Sequence, residues 1–393
     1  MTQDRDGVKQ AGSVSAGPAA PTLAASPTPS PLLRLVRRAI ESSGGWLPFD
    51  RFMAMALYAP GLGYYSRSNR QFGAMPSSGS DFVTAPEMSP LFGAALARQL
   101  TQALDATGTD ELWEFGAGSG ALASRLLPAL GERLRRYSIV DLSGALRARQ
   151  RETLAAFGKR VRWLDALPDA MRGVVVGNEL LDAMPVQLLR RGVGDEQAAW
   201  FERGVAIDGD GLRFVDRASA LCPPVAAAFA PGSVTEIHPQ AEAFVRTRAE
   251  RLEVGAAFLI DYGFPEAEYY LPERIGGTLM CHRAHQADTD PLQEVGDKDI
   301  TAHVDFSAIA LTAQDAGFEV LGYTSQARFL LNCGLAPMMA AAQQRSDWPA
   351  LVAAQKLIAE HEMGELFKVI GLVRGVPAFD AIGFAVGDRS HRL

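Results

Sequence analysis

Three carboxylates stand where they could hold a cation or take up a proton: Glu87 in Thr84-Ala85-Pro86-Glu87, and Glu179 and Asp182 in Asn178-Glu179-Leu180-Leu181-Asp182. Carboxylates suit a guanidinium nucleophile, because its planar fork can be held by two parallel hydrogen bonds while its charge is compensated. Group transfer to such a nucleophile asks the protein mainly for alignment and for removal of a proton. Each acid also has a structural reading. Glu87 fits the first turn of a helix, where the dipole favours negative charge, and Asp182 fits a turn cap ahead of Pro185.

The group to be transferred is indicated by Leu112-Trp113-Glu114-Phe115-Gly116-Ala117-Gly118-Ser119-Gly120-Ala121-Leu122. An apolar run ends in an acid, glycines alternate with small residues, and Leu122, Leu126, Leu127 and Leu130 follow at helical spacing. That is strand, tight turn, helix: the backbone must come close to a ligand that any Cβ would obstruct, with the first helical N–H groups pointing into the same space. Gly116, Ala117, Gly118 and Gly120 are the candidate contacts. The glycines alone also satisfy a dinucleotide fingerprint. Glu114 favours a ligand carrying an ammonium group, such as S-adenosyl-L-methionine, since its charge would repel a pyrophosphate. Asp141, closing the next apolar strand and followed by Leu142, can accept from both hydroxyls of a ribose and fits either cofactor. Asn178 should sit beside Glu179 at the reactive end.

Elements that could position these residues follow from the alternation of patterns. Strands are expected at 111–115, 137–141, 161–164, 173–177, 256–261, 318–323 and 368–374, with helices between them, for example 144–157 and 238–253. This is an α/β chain with a doubly wound, mostly parallel seven-stranded sheet, and such sheets bind ligands at their strands' carboxyl ends. Residues 1–30 are rich in Ala, Pro, Ser and Gly and read as a disordered tail. The segment 31–110, opening on an amphipathic helix at Leu32, Val36 and Ile40, is expected to cover the site. The first half of the core is 111–185. Residues 186–218, with Asp208-Gly209-Asp210-Gly211, carry hairpin signals and read as an antiparallel insertion. The second half, 219–325, includes a long polar loop after Phe264, and 326–393 forms a helical flank with the last strand. Residues 66–80 read as a loop, and Thr84–Glu87 as a helix start with Thr84 a possible cap.

Composition narrows the function. The 393 residues carry 38 Lys and Arg against 45 Asp and Glu, a net charge of -7. That argues against a sequence-independent nucleic-acid binder. Cys222, Cys281 and Cys333 lie far apart and suggest neither disulfides nor zinc. No stretch reaches the roughly 18–20 apolar residues of a membrane span, and the start lacks a secretory signal. The compartment expected is the cytoplasm. His282, His285, Asp288 and Asp290 are metal-ligand types without a defined spacing, better suited to ordering their loop; no metal is expected. His303 is a possible general base, and Asp305 a helix cap.

Taken together, Gly63-Tyr64-Tyr65, Asp81 to Glu87, Glu114 to Gly120, Asn178 to Pro185 and Asp299 to Phe306 resemble the family of the mitochondrial complex I assembly protein arginine methyltransferase and its bacterial relatives. The likeness runs from about residue 32 almost to the C-terminus. It implies a class I, Rossmann-like fold that uses S-adenosyl-L-methionine and releases S-adenosyl-L-homocysteine. For the mitochondrial member it implies symmetric dimethylation of an arginine on a respiratory complex I subunit. The glycine turn and Asp141 would hold the cofactor, with the segment from Asp81 through Thr84 to Glu87 closing over it. The tail does not resemble a mitochondrial transit peptide, so a bacterial cytoplasmic member acting on a protein substrate is the expectation. Other readings are methylation of a small molecule or another residue type, a catalytically silent assembly factor, and a nicotinamide oxidoreductase.

Overall fold

The computed structural model describes residues 29–67, 84–141, 143–225 and 229–393. Residues 1–28 of the expected tail, Asp81 to Val83, Leu142 and nearly all of the loop at 66–80 therefore lie outside the described residues. The main sheet contains β1 (Glu111–Phe115), β2 (Arg136–Val140), β3 (Val161–Leu164), β4 (Met171–Asn178), β5 (Leu252–Phe264), β6 (Glu319–Ser325) and β7 (Phe367–Arg374). Their order is β6-β7-β5-β4-β1-β2-β3, and the two-residue strand Val304–Asp305 pairs with β5 as an eighth, one more than the sequence pattern suggests. The pairs β5/β4, β4/β1, β1/β2 and β2/β3 are parallel, whereas β7 runs antiparallel to both β5 and β6.

Both faces of this sheet are covered, which is why its strands read as continuous apolar runs. Along β4, Val174 and Val176 enter one core with Leu112, Tyr137 and Ile139, while Val175 enters the other with Trp113 and Phe115. The strand crossing from β1 to β4 is therefore what puts Glu114 and Asn178 at one edge.

A second sheet is built from Leu47–Pro48, Gln187–Arg191, Trp200–Asp208, Gly211–Ser219 and Val234–Ile237. The hairpin at Asp208↔Gly211 turns through Gly209, whose φ is +52°. The sheet recruits a strand before and a strand after the 186–218 insertion, both short and therefore weakly patterned. The polar stretch after Phe264 is also more than a loop. Met280–Arg283, Gln286–Asp288 and Asp299–Thr301 form an antiparallel sheet, whose hairpin turns at Ala284 (φ +49°) and His285 (φ +60°). A two-residue turn of that hand ordinarily carries Asn or Gly, so this one gives no sequence signal. Helices Gln326–Asn332, Leu335–Gln344 and Trp348–Ile358 precede β7.

Candidate active site

A cavity of about 1260 Å³ opens at the carboxyl ends of β1, β2, β4 and β5. Its wall includes Thr84, Glu114, Gly116, Ala117, Gly118, Asp141, Asn178, Glu179 and Asp182. Gly116, Gly118 and Gly120 have φ of +66°, +51° and +83°, a region that disfavours any side chain. A Cβ on Gly116 would stand 3.0 Å from Leu180 Cδ1. Gly120 lies behind the wall against Gln150, where it allows the turn to enter the helix Ala121–Leu130.

Glu114 is buried, and the Tyr137 hydroxyl donates to it at 2.7 Å. Burial pushes its pKa up to about 7, against the lowering effect of Tyr137. A cationic ligand at the wall would supply the counter-charge this carboxylate lacks. Asp141 accepts from the Ser143 N–H (2.9 Å) and Gln150 Nε2 (2.7 Å), which fixes the carboxylate at the strand end; burial raises its pKa.

The segment after β4 is the most constrained part. Glu179 has φ +51°, a conformation uncommon for a residue with a side chain. It is held there because its N–H donates to Ile260 O (2.9 Å) and the next three N–H groups, of Leu180, Leu181 and Asp182, all donate to Asp261 Oδ2 at 3.0, 2.8 and 3.3 Å. Asp261, on β5, is buried, and burial followed by the charge of Asp182 holds its pKa far above the usual carboxylate range. Its role was invisible in the sequence because it depends on β5 lying beside β4. Asp261→Ala strands three buried donors at about 1–3 kcal/mol each. Thermal denaturation should show a loss of at least about 3 kcal/mol.

Asn178 Nδ2 donates to Glu179 Oε1 at 2.8 Å, leaving Asn178 Oδ1 buried without a partner. The Tyr262 hydroxyl donates to Asp182 Oδ2 at 2.5 Å, and Asp182 Oδ1 is likewise buried and unpartnered. Asp182 is thus a cavity-wall carboxylate. Burial, then the charge of Asp182, raises Glu179 to about 8, and burial raises Asp182 to about 6.

Glu87 accepts from Ser119 Oγ at 2.8 Å, bracing the glycine turn, and its charge adds to the raising of Glu179. Thr84 lines the cavity but its side chain caps nothing; the helix Ala85–Met88 ends after one turn, and Ser89 caps a second, Pro90–Thr107. Asp305 caps Phe306–Asp315 through the N–H groups of Ser307 and Ala308, both at 3.1 Å. His303 lines the cavity stacked on Phe264, and burial pushes it down to about 4, so it is neutral at pH 7. Asp288 and Asp290 accept from nearby backbone N–H groups, and Lys298 pairs with Asp288 at 2.7 Å. Among the described residues no group of three or more His, Cys, Asp or Glu could hold a metal, and no helix is long and apolar enough to cross a membrane.

Residues 95–324 match the family described as "Putative S-adenosyl-L-methionine-dependent methyltransferase". The chain belongs to this family. A crystal structure from Burkholderia thailandensis bound to S-adenosyl-homocysteine is 52% identical, with a TM-score of 0.87 over 93% of this chain and 100% of that one. A native structure from the same organism is 51% identical with a TM-score of 0.83 over the same shares. Among named relatives, the mitochondrial protein arginine methyltransferase NDUFAF7 of Danio rerio is 28% identical over 84% of each chain. That of Homo sapiens is 28% identical over 88% of this chain and 83% of its own. The methyltransferase is therefore S-adenosyl-L-methionine-dependent, with relatives in bacteria and mitochondria.

Proposed function

We propose that this methyltransferase modifies arginine side chains of a protein, with Glu179 and Asp182 holding the acceptor guanidinium. The observation that carries this reading is the buried pair itself: two carboxylates with raised pKa values, one with an unpartnered oxygen, in the same cavity as the glycine turn. Burying acids without counter-ions is costly, and a guanidinium would supply the missing charge and donors to both.

When bound, S-adenosyl-L-methionine supplies a methyl group on a positively charged sulfur. Glu114 would pair with its ammonium group, Asp141 would accept from the ribose hydroxyls, and Gly116, Ala117 and Gly118 would admit it close to the backbone. Asn178 and Thr84, also on the wall, would complete the contacts. Glu179 and Asp182 orient the acceptor nitrogen and withdraw its proton as the methyl arrives, while Glu87 braces the turn through Ser119. The names of the mitochondrial relatives support arginine as the acceptor; the family resemblance extends the reading to symmetric dimethylarginine on a respiratory complex I subunit, and three free cysteines are in keeping with a bacterial cytoplasm.

Because both acids must be ionised to hold the cation, kcat/KM should rise with pH through about 6 to about 8 and level off above it. A profile flat from pH 5 to 9 would contradict these roles. The substrate class is tested by mass spectrometry of lysates from cells with and without the gene. Loss of a methylarginine on one protein is expected, whereas label transferred from the cofactor to a small molecule or another residue type would overturn the reading.

A further inference from the structure

Of the acids and bases on the cavity wall, Glu114, Asp141, Asp165, Glu179, Asp182 and Asp299 carry carboxylates, and Arg248 is the sole Arg or Lys among the described residues. Arg248 lies near the end of the helix Pro239–Arg251. Its guanidinium carbon stands 4.4 Å from the ring centroid of Phe115 and 4.1 Å from that of Phe244, which sits one turn earlier on the same helix. Two aromatic faces fix the plane of the group by cation–π contact. Yet Nε and Nη1 are buried with no hydrogen-bond partner. Burial alone pulls the pKa of Arg248 down to about 10, as expected of a cation with no neighbouring carboxylate to favour it. A planar, pre-oriented donor set without an acceptor is an incomplete half of an interaction.

We infer that Arg248 recognises the purine ring of the cofactor, donating from its unpartnered guanidinium N–H groups to a ring nitrogen. The direction of the strand decides between the two ends of the ligand. Successive side chains on β1 point to opposite faces, so Phe115, with Arg248 upon it, is on the other side from Glu114, whose carboxylate meets Tyr137. The carboxylate of the amino-acid end is carried on the same carbon as the ammonium and goes with Glu114. Phe115 and Phe244 flank Arg248, and Val140 and Leu167, which also line the cavity, pack in the same apolar cluster, a partly aromatic wall that suits a flat base. Asp141, one residue beyond Val140, places the ribose beside it. The inference rests on the cofactor and is independent of which acceptor is methylated.

The test is calorimetric binding of S-adenosyl-homocysteine and its 1-deaza, 3-deaza and 7-deaza analogues to the wild type and to Arg248→Met, which keeps the bulk and removes the donors. The variant should bind S-adenosyl-homocysteine about 10- to 100-fold more weakly. One deaza analogue should lose a similar factor against the wild type and nothing further against the variant. Wild-type affinity in Arg248→Met, or the same deaza penalties in both proteins, overturns the inference alone. Failure of the wild type to bind S-adenosyl-homocysteine would remove the cofactor assignment with it. Should the variant not fold, the analogues on the wild type still decide, since equal affinity for all of them is incompatible with a donor to the ring.

Discussion

Glu179→Gln is expected to lower methyl transfer by about 10²- to 10³-fold while raising the thermal stability of the ligand-free protein at alkaline pH. The first effect follows because the amide cannot accept a proton or pair with a cation. The second follows from linkage. Burial, then the charge of Asp182, lifts Glu179 in the folded state to about 8 from its ordinary value of 4.5. A carboxyl raised on folding contributes stability that is fully present below about 4.5 and is lost as pH rises through about 8. Gln does not titrate, so the variant escapes that loss, and it keeps an oxygen to accept from Asn178 Nδ2. Differential scanning fluorimetry should show equal Tm values near pH 4.5 and a gap in favour of the variant widening toward pH 8. A variant both fully active and unchanged in Tm from pH 5 to 9 would place Glu179 outside the reacting centre. The opposition of the two effects is the signature of a residue kept at a cost to the fold.

How much of this could be read in advance divides along a physical line. Local information was legible: β1 to β4 announce themselves because a both-sides-buried parallel strand is a short apolar run, and the glycine turn because three positive φ values demand it. Glu114, Asp141, Asn178, Glu179 and Asp182 were legible as strand-end polar residues, which the parallel topology brings to one cavity. Information held between strands was not. Asp261 looks like one more strand-end acid, and only its position beside β4 makes it the acceptor for three consecutive N–H groups. Arg248, within the helix expected at 238–253, does not stand out, because nothing in the local sequence says that Phe115 lies beneath it. Glu87 has both readings at once: it opens the short helix Ala85–Met88 and accepts from Ser119, while its charge still acts on Glu179.

Gly118→Val is expected to weaken S-adenosyl-homocysteine binding by at least about 10²-fold and to abolish turnover at ordinary cofactor concentrations. Gly118 lines the cavity with φ +51°, where an L-residue costs about 1–2 kcal/mol and a β-branched one more. The turn cannot easily swing to a relaxed conformation, because Gln150 Nε2 donates to Gly118 O at 3.0 Å and the same amide nitrogen donates to Asp141. Relieving the strain at Gly118 therefore displaces the carboxylate meant for the ribose, so one substitution damages two contacts. Strain alone is controlled by Gly108→Val. Gly108 ends the helix Pro90–Thr107 at φ +61°, with nothing within 4 Å of an added Cβ and no place on the cavity wall. That variant should lose a comparable increment of stability in thermal denaturation and keep its affinity for S-adenosyl-homocysteine. If both variants bound the ligand equally, whether well or poorly, the glycine turn would owe its composition to folding and not to the approach of a cofactor.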